Sequence, residues 1–493
     1  MQVTRIVEKF WRRPDDVRVE RASRNGLSEE NAVREQVFLP GGRFRPRLGL
    51  VVAWLLAFAW IGAAAPVLAH AATFADRVQE TVLPNGLKVL LIEEPKAPVV
   101  AIRTFYRVGS RNEVTNRTGL AHMLEHMMFK GTPKIGPNQF DQIITRNGGY
   151  DNAQTSADYT RYDIDIAADR VELALELEAD RMKGLLLDEK DFLPERQVVI
   201  EERRMRIEDQ PINFLSQTLV AITFQAHPYR NPPIGWPSDM PAWTREDMVQ
   251  FYKSYYLPNN AVLIVAGKFK TAELLPKIAA LFGSIPKGPE PPKVITVEPP
   301  QVGERRALVN REAELPIYFA LFHTPMLTHP DAFPLQVLAY LLGGGESARF
   351  YHALGYEKQL VSFAGADYNP LRIDPYTFGF SAGPLPGKTV EDVEPLLYAE
   401  VDRLIKEPIA DRELQKAKNQ VASEFIYAQD SVRTLAQLVG QYEVVAGWKV
   451  LDTFLAGVQQ VTAADVKRVA QQYLVPENRT VAILVPVKSA ATK

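Results

Sequence analysis

In the stretch GLAHMLEHMMFKGT, residues 119–132, the apolar side chains are Leu120, Met123, Leu124, Met127, Met128 and Phe129. Their spacing predicts a helix with one apolar surface. Two longer stretches share a different pattern. WTREDMVQFYKSYYLPNNAVLIVAG begins at Trp243, and VTAADVKRVAQQYLVPENRTVAILV begins at Val461. Each reads as a capped helix, a turn and an apolar strand. The offset between them, 218 residues, pairs Thr244 with Thr462, Asp247 with Asp465, Tyr255 with Tyr473, Pro258 with Pro476 and Asn260 with Asn478. The same offset, without a gap, sets the strand-like run from Glu93 against that from Arg311 and pairs Pro98 with Pro316. Between the halves, residues 285–303 are proline-rich and read as a linker. The expectation is two homologous domains, 73–284 and 304–487. Each mixes helices with hairpin-like strand pairs, which is an α+β fold.

The chain of 493 residues is 46% hydrophobic and 24% charged, enough for at least two domains. Its net charge of −2 implies no surface for nucleic acid. It has no cysteine, which excludes disulfides, thiol catalysis and thiolate-bound metals. Residues 1–47 are polar and Arg-rich. Residues 48–72 hold an apolar run after Arg43, Arg45 and Arg47 and end near an Ala69-His70-Ala71 cleavage pattern. They read as a signal peptide, with an uncleaved inner-membrane anchor as the alternative. The mature chain is expected in the periplasm from about residue 72.

Two of the seven histidines, His122 and His126, stand four apart on the first helix with Glu125 beside them. At 3.6 residues per turn both imidazoles share a face. The pattern fits either a polar corner of an ordinary helix or a divalent metal site. The repeat discriminates. The matching positions are Tyr340, Gly343 and Gly344, so such a helix packs without His, Glu and His. A third ligand is sought in DEKDFLPERQVVIEERRMRIEDQ, residues 188–210, where a helix after Pro194 carries Glu195, Glu201 and Glu202. Glu195 and Glu202 lie two turns apart on one face, and Glu201 points elsewhere. Glu195 maps to Glu413, but Glu202 maps to Gln420, so the half without histidines also lacks that carboxylate. Glu202 is therefore expected as third ligand and Glu195 as a carboxylate that orients the site. Two imidazoles and one carboxylate leave a fourth position for water, as in catalytic zinc sites, and Glu125 would be its general base.

HxxEH followed by a distant E-x6-E, on a duplicated chain with a proline-rich linker, resembles the pitrilysin (M16) family of zinc peptidases. The likeness is to the two-repeat branch that includes the mitochondrial processing peptidase. It covers nearly all of residues 75–487, with further matching segments at 147–162, 176–182 and 195–204. The resemblance implies one zinc per chain on His122, His126 and Glu202, with Glu125 as base. It implies that Asn152, Ala153 and Gln154 lie on an edge strand that pairs with substrate backbone, by β-augmentation. It also implies a closed chamber that favours unfolded or short peptides. Active single-chain relatives supply an Arg and a Tyr from the second domain. Here Gly355 and Ser362 align with those positions, and Arg349, Tyr351 and Tyr356 are near but out of register. The expected arrangement is a heterodimer whose other subunit supplies that pair. The alternatives are a non-catalytic assembly subunit of the same fold and a stand-alone homodimeric peptidase.

Overall fold

A computed structural model describes residues 73–487, and the leader and apolar run at 1–72 lie outside them. The described chain forms one compact unit with two mixed sheets. The first has the order β1-β2-β6-β3-β5-β4. Its strands are β1 (Val78–Val82), β2 (Lys88–Glu93), β3 (Val99–Tyr106), β4 (Tyr150–Thr155), β5 (Thr160–Ala167) and β6 (Ala261–Gly267). The second has the order β7-β11-β8-β10-β9. Its strands are β7 (Arg305–Glu312), β8 (Ile317–Thr324), β9 (Val361–Tyr368), β10 (Tyr376–Pro384) and β11 (Arg479–Val487). In each sheet a single parallel pair, β2 with β6 and β7 with β11, accompanies antiparallel neighbours. The second sheet is thus the first without its outermost strand. Residues 286–303, between the halves, contain neither helix nor strand.

The capped helices foreseen from the repeat carry the same device. Thr244 and Thr462 each accept from the backbone N–H three residues on, and Asp247 and Asp465 reach back to the cap backbone. The stretch from Tyr150 to Ile166, strand-like in sequence, is a hairpin. β4 and β5 pair from Tyr150↔Asp165 to Thr155↔Thr160 around a tight turn in which Ser156 Oγ accepts from the N–H of Asp158 and Tyr159. That turn leaves β4 as the sheet edge.

Six helices bear on the candidate site and on its counterpart in the second half. They are α1 (Leu120–Met127), α2 (Glu189–Arg203), α3 (Pro211–Thr223), α4 (Ala332–Gly343), α5 (Asp411–Tyr427) and α6 (Val432–Val445). The halves exchange a helix, which the sequence pattern does not reveal. From the first half α3 lies on β7, β8 and β11, and from the second half α6 lies on β3 and β6. The two are repeat equivalents to within a few residues. The Phe105 ring sits so close to Gly440 that a Cβ there would meet its Cε2 at 2.2 Å, so this crossing requires glycine. Arg107 pairs with Glu443 at 2.8 Å, and Gln441 donates to the Tyr159 hydroxyl at 2.9 Å. One core therefore runs from Leu90, Phe105 and Val262 of the first sheet into Leu435, Ala436 and Val439 of α6. A second core, under α1, belongs to the first half alone. Among the described residues no helix is long and apolar enough to cross a membrane.

Candidate metal centre and active site

Helix α1 is held by its apolar stripe. Leu120, Met123, Leu124 and Met127 are each at most 5% exposed. Full burial of such a side chain stabilises by roughly 1.5–3 kcal/mol, so the stripe fixes the rotation of the helix and leaves His122, Glu125 and His126 on the other side. Its N-terminus lacks a capping side chain, because Gly119 occupies the cap with φ 90°. The Glu113 carboxylate replaces it, accepting from the N–H of Gly119 at 2.7 Å and of Ala121 at 2.8 Å. Burial pushes the Glu113 carboxyl well up, and the two backbone bonds at the positive end of the helix work against that.

Helix α2 brings the carboxylates. It starts at Glu189, before Pro194, not after it. The proline forfeits one backbone hydrogen bond inside the helix. His122 Nε2 lies 3.8 Å and His126 Nε2 3.2 Å from Glu202 Oε2. One ligand atom from each of these three residues lies within 4.8 Å of the other two. Glu201 points away, 59% exposed and paired with Arg204. Glu195 Oε1 bonds His126 Nδ1 at 2.8 Å, and its Oε2 meets Lys130 Nζ at 2.5 Å. Arg206 Nε meets the other oxygen of Glu202 at 3.0 Å. Each carboxylate thus has an imidazole on one oxygen and a cation on the other. The Thr155 hydroxyl, at the end of β4, donates to Glu125 Oε2 at 2.6 Å. Asn152, Ala153 and Gln154 lie half-buried on the same strand.

The electrostatics express the crowding. Burial pushes the His122 imidazole down to about 3, and the neighbouring His126 adds to the effect. For His126 burial works the same way, but the Glu195 and Glu202 carboxylates outweigh it and raise it to about 9. Burial would raise Glu202, yet His126, His122 and Arg206 take it down to about 2. Glu125 is pushed up to about 7 by burial, against the Thr155 hydrogen bond.

Glu202 Oε2 is buried and makes no well-formed hydrogen bond, although it faces two ring nitrogens. A buried anionic oxygen in that position is costly. A divalent cation among the three atoms would satisfy it and displace the proton that His126 otherwise keeps. Two imidazoles and a carboxylate are zinc-type donors, so the residues present fit the ion. Lys130, Arg206, Thr155 and Glu113 are additions that sequence reasoning missed. Lys130 and Arg206 each follow their site residue by four, a helical-neighbour signal; the other two reach the site only through the fold.

Residues 88–235 match the family model described as insulinase (peptidase family M16), and residues 242–421 match the one described as peptidase M16 inactive domain. The zinc protease PqqE of Helicobacter pylori is 34% identical over 85% of this chain and 95% of its own. A crystal structure of a protease from Helicobacter pylori superposes with a TM-score of 0.80 at 34% identity, over 83% of this chain and 100% of that one. An Arabidopsis thaliana protein named "Probable mitochondrial-processing peptidase subunit beta" is 25% identical over 84% of this chain and 79% of its own. The chain belongs to the M16 family of zinc peptidases. The first match contains the histidine helix, and the match to the model labelled inactive begins inside the first half and runs into the second.

Proposed function

We propose that this chain is an exported zinc metalloendopeptidase for unfolded or short peptides, and the catalytic subunit of a heterodimer. The observation that carries the reading is the approach of His122 Nε2, His126 Nε2 and Glu202 Oε2 to one point, with Glu125 beside them. These three atoms would hold the ion. Bound zinc would act as a Lewis acid and lower the pKa of a water toward about 7. Glu195, steadied by Lys130, holds the His126 proton on Nδ1 and so turns Nε2 inward. Glu125 takes the proton of the attacking water and returns it to the leaving amine nitrogen. The free edge of β4, at Asn152, Ala153 and Gln154, offers backbone donors and acceptors to an extended peptide.

Support for a second subunit comes from what the second half lacks. Gly355 lies on a helical turn and Ser362 on β9, where its hydroxyl donates to the Gly383 carbonyl. Arg349, the nearest arginine in sequence, is tied to Glu413 by two bonds of 2.7 and 2.8 Å. An oxyanion donor is often a large term in peptide hydrolysis, so the reading assigns it to another chain of the same fold. Export rests on the sequence of residues 48–72.

The test is to purify the chain, measure its zinc, and assay an unstructured peptide with and without chelator, alone and with a homologous second chain. Zinc bound, with chelator-sensitive cleavage only after the second chain is added, is the expected result. No zinc at all would leave an assembly role, and full activity alone would make the enzyme self-sufficient.

A further inference from the structure

The hydroxyl of Thr155 has an unusual set of neighbours. Thr155 ends β4 and pairs across the hairpin with Thr160. Thr160 is fully buried and spends its own hydroxyl proton on the Val108 carbonyl, at 2.9 Å. Its oxygen lies 3.4 Å from Thr155 Oγ1, whereas Glu125 Oε2 lies at 2.6 Å. The one proton of Thr155 therefore goes to Glu125. Charge-assisted O–H···O⁻ bonds of this length are the strong ones. Among the described residues no protein hydrogen bond reaches the other oxygen, Glu125 Oε1. A strand needs no hydroxyl at this point, because valine serves the pleat equally well. The β-branch also limits χ1, so the donor is held ready rather than found by rotation.

We propose that Thr155 is a positioning residue for the general base: its hydroxyl clamps Glu125 by Oε2 and assigns proton transfer to Oε1. This rests on the peptidase reading above. In the first step a water O–H bond breaks, its proton passes to Oε1, a C–O bond forms at the scissile carbonyl carbon, and the C=O π pair moves onto the carbonyl oxygen, to return when the C–N bond breaks. In the second the C–N bond breaks and the proton leaves Oε1 for the amine nitrogen. Thr155 donates to Oε2 in both states, so the carboxyl group keeps one orientation throughout. Because Thr155 follows Asn152, Ala153 and Gln154 on the same strand, the peptide rail and the base are fixed by one element.

The test compares Thr155→Val, which keeps the shape, with Thr155→Ser, which keeps the hydroxyl. The zinc-loaded chain is titrated with a short peptide hydroxamate, whose proton passes to the base on binding, so no turnover is needed. Thr155→Val should bind it about fivefold more weakly or worse, the cost of fixing on binding a carboxyl group that the hydroxyl no longer orients. In the assembled enzyme it should lower kcat by a similar or larger factor with KM and zinc content unchanged. Thr155→Ser should keep both within about threefold. Wild-type hydroxamate affinity and kcat in Thr155→Val would overturn the assignment, as would a serine variant as impaired as the valine one or a valine variant that loses its zinc. A wild-type chain that takes up no zinc would instead overturn the peptidase reading, and Thr155's role with it.

Discussion

The two halves place the same positions together and fill them with different chemistry. In the first, Glu202 of α2 faces His126 of α1. In the second, the matching Gln420 of α5 donates its amide to the carbonyl of Gly344, the match of His126, at 2.8 Å. Glu195 orients an imidazole, whereas its counterpart Glu413 binds Arg349. Tyr340 replaces His122, and burial together with Glu424, the counterpart of Arg206, raises its phenol. At the position of Glu125 the second half has Gly343, where a Cβ would lie 1.8 Å from the Ala366 backbone nitrogen. The helix–helix contact is thus a property of the fold. The candidate metal centre lies in one copy where the other has closed the gap between helix and sheet.

Four substitutions and one condition would break or sharpen that contrast. The largest effect should come from Glu125→Gln, which keeps zinc but lowers kcat by about 10²–10⁴-fold, the usual share of a general base. Zinc analysis beside peptide kinetics checks both halves of that statement. Glu195→Ala should weaken zinc binding by about 10–100-fold, while the matching Glu413→Ala leaves it unchanged; competition with a fluorescent chelator reads the difference. Gly343→Ala should cost about 1–3 kcal/mol or more through overpacking against β9, lower the melting temperature, and spare zinc affinity.

The smallest effect is one of pH on the metal-free protein. His126 is raised from 6.5 to about 9, so its contribution is complete below pH 6.5 and is lost as pH rises through about 9. Glu202 is lowered from 4.5 to about 2, so its contribution is present above pH 4.5 and is lost as pH falls toward about 2. The site should therefore stabilise the metal-free chain most between pH 4.5 and 6.5. Zinc should bind more tightly as pH rises toward about 9, because it displaces the His126 proton. Melting curves against pH, with and without zinc, would reveal a metal-free optimum elsewhere if this account of the pair were wrong.

Much of this was readable in the chain, for identifiable reasons. Duplication turned the second half into an internal control, and helical periodicity separated Glu202 from Glu201, which the structure leaves exposed on Arg204. The caps at Thr244 and Thr462 were legible because capping is local. The exchange of α3 and α6 was not, since an apolar stripe says that a helix is buried and not which sheet buries it. Pro194 misled because proline commonly opens a helix, whereas here it sits within one. Thr155 was invisible because its partner Glu125 is 30 residues away, and Glu113 because it acts on nearby backbone N–H groups, which no side-chain pattern marks.

The most direct measurement is native mass spectrometry of the wild-type chain and of Glu202→Gln, which gives the first half the residue that the second already has. After equal exposure to zinc, the wild type should carry one tightly held ion and the variant none. Equal zinc on both, or none on the wild type, would contradict the claim that these three side chains share a metal.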